Sequence, residues 1–74
     1  MYGPIPTHIA SAIHDARDAS QRFRWANAEL RSSDDRAWSD MVLSERSDAF
    51  RALGVAVRAI EQYSPGLATR AVFA

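Results

Sequence analysis

Ile9, Ala12, Ala16, Ala19, Phe23, Ala26 and Leu30 recur three and four residues apart without a miss. A β-strand cannot use that spacing, because its faces alternate every second residue. The run reads as the apolar seam of one long amphipathic helix of about 24 residues. Thr7 is placed to cap its start, and Pro4 and Pro6 hold residues 1–6 out of helix as an extended arm. The first helix is therefore expected over about residues 8–31.

Ser32-Ser33-Asp34-Asp35 interrupts the seam. Serine and aspartate compete for backbone hydrogen bonds and favour caps and turns. Ser32 with Asp35 three residues on resembles a capping box with Asp in place of Glu. A second helix is expected over about residues 34–63, ended by Ser64-Pro65-Gly66. Its apolar positions run from Trp38 to Tyr63 and cover roughly 200° of its surface, more than one neighbour can bury. Arg46 falls on that apolar side, between Val42 and Ala49. Either the helix breaks near residues 44–47, with Ser44 or Ser47 capping a second half, or it is continuous and Arg46 carries its charge outward or pairs with an acid. The lack of Gly and Pro there favours continuity. The tail, residues 64–74, is too short to stand alone and either docks or frays.

A short turn makes the two helices antiparallel neighbours. Alanines on both seams allow close approach of the axes. A turn at residues 32 and 33 would set Phe23 level with Val42, Ala16 with Ala49 and Ala12 with Leu53. It would also bring Arg46 near Asp15 as a salt bridge, and set Tyr2 and Ile5 of the arm against the far end of the second helix. The expected fold is all-α: a single domain, residues 1–74, built as an antiparallel helical hairpin with arm and tail.

Size bears on what such a hairpin must do next. A chain of 74 residues buries only about 60% of its unfolded surface and is marginal as a monomer. It has no cysteine, so disulfides and thiolate metal sites are excluded. Leu43, Phe50 and Val57 form a second apolar stripe on one side of the second helix, and Met41 and Tyr63 lie toward the other. The tail can cover one such side but not both. We therefore expect a homo-oligomer in which hairpins share a helical-bundle core, with these five residues at the interface.

Nine basic residues balance nine acidic ones, and every basic residue is arginine. Bulk charge steers the chain toward neither nucleic acid nor membrane. No apolar run approaches a membrane span of roughly 20 residues, and MYGPIPT has the features of neither a signal nor a transit peptide. A cytoplasmic setting is expected, which the lack of cysteine fits.

No catalytic motif emerges. His8, Ser11 and Asp15 have the residue types of a hydrolase triad, but they stack along one exposed helix face with no oxyanion hole opposite. His14 and Asp18, one turn apart, fall short of the three or four ligands of a zinc site. Asp34, Asp35 and Asp40 sit where a helix start favours negative charge. No cofactor or metal is expected, and the chain is read as a non-enzyme.

Two features point to binding. Arg17, Arg24 and Arg31 recur every seven residues and form a stripe that can grip an acidic protein surface or phosphates. Trp25, two residues after Phe23, points away from the seam among Asp18, Gln21, Ala28 and Glu29. Trp and Arg are the residues enriched at binding hot spots. The expected function is binding of another protein through Trp25, Arg17, Arg24 and Arg31, in the manner of a small phage- or mobile-element-type inhibitor or regulator. The alternative is binding or sequestering of a nucleotide or nucleic acid by the arginines, with Trp25 stacking on a base.

Overall fold

The computed structural model describes residues 4–73, and among them only helices and their connections occur. Helix α1 spans Thr7–Ser32, α2 spans Arg36–Tyr63 and a short α3 spans Leu67–Ala71. The two long helices pack antiparallel into a hairpin measuring 52 × 18 × 16 Å. Such a rod has little interior, which is why only small side chains fill most of its seam.

The start of α1 differs from expectation. Pro6, not Thr7, occupies the cap position, and the Pro6 carbonyl accepts hydrogen bonds from the Ile9 and Ala10 amides. Proline has no amide hydrogen to lose and its φ is already fixed, so helix can begin directly after it. The turn also differs. Ser32 stays inside α1, its hydroxyl donating back to the Ala28 carbonyl. Asp35 alone caps α2, its carboxylate accepting from the Trp38 amide at 3.0 Å. Ser33 supports it by accepting from the Asp35 amide. The Ser32–Asp35 capping box is therefore not formed, because Asp35 fills the cap position itself.

The turn thus centres on Asp34, later than expected, and Phe23 packs on Phe50 farther along α2. Arg46 lies opposite Asn27, whose side-chain oxygen accepts from its guanidinium at 3.2 Å. The expected Arg46–Asp15 salt bridge does not form. Helix α2 runs unbroken through Ser44–Ser47, because Asn27 gives the one misplaced charge a polar partner at the edge of the seam.

Val42, Ala49 and Ala56 form the buried line of α2 at seven-residue spacing, joined by Ile60. From α1, Ile9, Ala16, Ala19 and Ala26 are buried as expected, with Ile13 and Ser20 in addition; Ala12, Phe23 and Leu30 are only half-buried. The apolar core proper sits at the end away from the turn. There Ile9, Ile13, Ala16, Ala56, Ile60 and Ala68 close on one another, with Leu53, Val57, Leu67 and Val72 around them.

The tail creates that core. Gly66 takes a left-handed φ of 86°, which glycine adopts without steric cost, and so turns the chain back onto the hairpin. Its amide donates to the Glu61 carboxylate at 2.8 Å. Arg17 of α1 then donates from Nε to the Ala71 carbonyl at 2.8 Å, satisfying the open end of α3. The end of α2 is therefore met by α3. The arm does not fill this role: Ile5 is exposed, and Tyr2 lies outside the described residues.

Candidate interaction surface

The face of α1 that meets α2 rolls along the helix. A seam spaced by threes and fours drifts round a straight helix by about 20° every seven residues. Near the turn the contacting side has moved toward Ala26, which is fully buried, and toward Trp25. Trp25 is therefore not on the back of the hairpin. Its ring meets Trp38 of α2 edge-to-face, centroids 6.1 Å apart at 88°. Trp38 is itself held by an indole N–H donated to Glu29 at 3.3 Å. Trp25 keeps 44% of its surface exposed, and with Met41, Val42 and Glu45 it lines a shallow cleft.

Phe23 occupies the opposite flank. It packs against Phe50 with ring centroids 5.8 Å apart. Phe23 and Trp25 thus clasp the hairpin from both sides. Below Trp25, Arg22 donates to Glu45 from Nε at 2.8 Å and from Nη2. That hydrogen bond, and then the Glu45 charge, raises the Arg22 pKa above its ordinary value. A groove continues from there along the same flank. Its floor includes Ala19, Ala52 and Ala56, and its rims carry Asp15, Asp48 and Arg51. Its shape follows from the alanine seam, which leaves space where larger residues would have filled the gap.

The arginine stripe is divided by the fold. Arg17 has its Nε on the Ala71 carbonyl, whereas Arg24 and Arg31 project into solvent. Among the five residues expected at an oligomer interface, Met41, Leu43, Phe50 and Tyr63 are exposed. Val57 is half-buried, because it packs against the core that α3 completes. The tail thus covers one end of the Leu43–Phe50–Val57 stripe and leaves the rest open.

Trp38, Glu45 and Val55 belong to this surface and were not singled out from the sequence. Trp38 had a usable signal: it stands three residues after a capping Asp, which fixes it beside the turn and so beside the end of α1. Val55, 66% exposed, had none, being one apolar residue among many.

His8, Ser11 and Asp15 line the groove side by side on one helix, with no hydrogen bond among them in the described residues. Among the described residues no group of three or more His, Cys, Asp or Glu could hold a metal ion, and no helix is long and apolar enough to cross a membrane. No known protein family, curated protein or solved structure matches this chain.

Proposed function

We propose that the chain is a non-enzymatic protein-binding module, a helical hairpin that self-associates and presents the Trp25–Met41 cleft to another protein. The supporting observation is where its large apolar side chains lie. Trp25, Met41, Leu43, Phe50, Val55 and Tyr63 are all exposed on a hairpin whose own seam is mostly alanine. Of the eight large apolar side chains exposed among the described residues five lie on α2, on more than one of its sides, and exposed apolar surface of this kind marks interaction sites. Occupying a partner's surface is how a small phage- or mobile-element-type inhibitor or regulator works, and the reading extends to that role in a cytoplasmic setting.

Affinity capture with the tagged chain tests the cleft. A partner held by the wild type should be lost in Trp25→Ala and Met41→Glu at unchanged helix content. Capture that survives both substitutions overturns the cleft as the binding site. In Trp38→Phe, Trp25 is the sole tryptophan, and its emission should move to shorter wavelength when the partner is added.

The second reading, a nucleotide or nucleic-acid binder, rests on the exposed guanidinium groups of Arg24 and Arg31. It requires binding that falls steeply with ionic strength and fails in Arg24→Glu. Binding indifferent to salt removes it.

A further inference from the structure

Gly54 sits in the middle of α2 without an evident purpose inside the hairpin. Glycine is a poor helix former. A Cβ added there would meet nothing within 4 Å. Among the described residues no close approach requires it. Instead it opens a dent on the outer face of α2, walled by Phe50, Arg51, Val55 and Arg58. On the same face, about three turns nearer the start of α2, Leu43 projects as an exposed knob.

Residues 36, 40, 43, 47, 50, 54, 57 and 61 follow a three-and-four repeat along this face, the spacing of a helix-pairing seam. Its ends are charged: Arg36 and Asp40 at one, Glu61 with the adjoining Arg58 at the other. Leu43 with Gly54 and Arg36 with Glu61 are centred on one point of the helix, between Asp48 and Ala49, and Asp40 with Arg58 is centred on Ala49, half a residue away. A twofold axis at that point would set knob against dent and opposite charge against opposite charge, each twice. A parallel pairing would oppose Arg36 to Arg36, Asp40 to Asp40 and Glu61 to Glu61, with Leu43 against Leu43 and both dents empty. Among the described residues Arg36, Asp40 and Arg58 form no ion pair within the chain. Glu61 gives one oxygen to the Gly66 amide and keeps the other.

We propose that the outer face of α2 binds a second copy of this chain antiparallel, with Leu43 of each copy seated over Gly54 of the other. The proposal rests on the self-association reading and gives it a surface and an orientation. The dimer is isologous, so the contact closes on itself and does not propagate. It leaves Trp25 and Met41, on another side of the hairpin, open to a different partner.

The chain has no native cysteine, so single nitroxide labels can be placed at Ser47→Cys and Gln62→Cys without background. In the antiparallel dimer the two labels at position 47 lie close together across the axis, while those at 62 stand about 40 Å apart. Short distances at both positions mean a parallel pair and overturn the proposal. Gly54→Leu should weaken the dimer by about tenfold or more with helix content retained, since the added Cβ meets no other atom among the described residues and leucine is a good helix former. Asp40→Arg and Arg58→Asp should each weaken it, and the double variant should restore it. Light scattering separates the two levels of failure. A wild type that stays monomeric at high concentration removes both the self-association reading and this surface. A wild-type dimer indifferent to Gly54→Leu and to the charge exchange keeps the reading and removes the surface.

Discussion

The two ends of the hairpin are held by different physics. At the end away from the turn, α3 packs on α2 and is tied to α1 through Arg17, and Ile9, Ile13, Ile60 and Ala68 share one buried cluster drawn from three elements. At the turn end only two helices meet. Their seam there is Ala19, Ala26, Val42 and Ala49. Polar and aromatic contacts fasten its flanks: Arg22 on Glu45, Arg46 on Asn27, Trp38 on Glu29, and the Trp25–Trp38 and Phe23–Phe50 pairs. Two helices alone wrap large side chains poorly, so at the turn end the aromatics sit on the rim and three alanines and Val42 in the middle. A third element, even one of five residues, is enough to change which side chains can be buried.

The sharpest way to break this contrast is Ile60→Ala. Ile60 is fully buried in the three-element core, and truncation of such a residue costs about 2–5 kcal/mol. For a domain this small that approaches the whole stability, so loss of the cooperative unfolding transition in urea is the expected result. Ala49→Leu probes the other end. Two helices packed over alanine leave no room there, and overpacking should cost about 1–3 kcal/mol, read as a lower urea midpoint. If Ala49→Leu were neutral, the turn-end seam would be looser than its complete burial implies. Arg17→Ala removes the donor on the Ala71 carbonyl and should cost about 0.5–1 kcal/mol. Its diagnostic is faster amide exchange confined to α3 and its contacts, with the turn end unchanged. Arg22→Gln should have the smallest effect, because an exposed ion pair contributes little and salt screens it. A small drop in melting temperature at low salt that vanishes at high salt is expected.

The legibility of this architecture varies in the same way along the molecule. Helix periods, the interrupted seam at Ser32–Asp35 and the stop at Ser64-Pro65-Gly66 are local, and they were readable. The slide of the pairing was not, because it depends on which of four polar turn residues takes the cap, and Ser32, Ser33 and Asp35 can each do so. Ile13 and Ser20 escaped the seam because α3 and the rolling contact face bury them, and neither belongs to one helix alone. Trp25 was read as exposed, and it retains much of that exposure. Its meeting with Trp38 required the roll of α1 and the true turn centre together. Gly54 was passed over because a lone glycine in a helix has no meaning until its surroundings are seen to be empty.

The spacing of the cross-links along the chain carries a consequence for how the molecule forms. Trp38 and Glu29 are separated by 9 residues, Arg46 and Asn27 by 19, Arg22 and Glu45 by 23, and Arg17 and Ala71 by 54. Closing a longer loop costs more entropy, and each closure made earlier shortens the next. The expected order is a zipper that starts at the Asp35 cap and runs toward the far end, with α3 docking last. In kinetic terms, Val42→Ala should slow folding, while Ala68→Gly, in the element that docks last, should leave the folding rate nearly unchanged and speed unfolding. The end that holds the isoleucine core would then be the last to assemble and the first to let go.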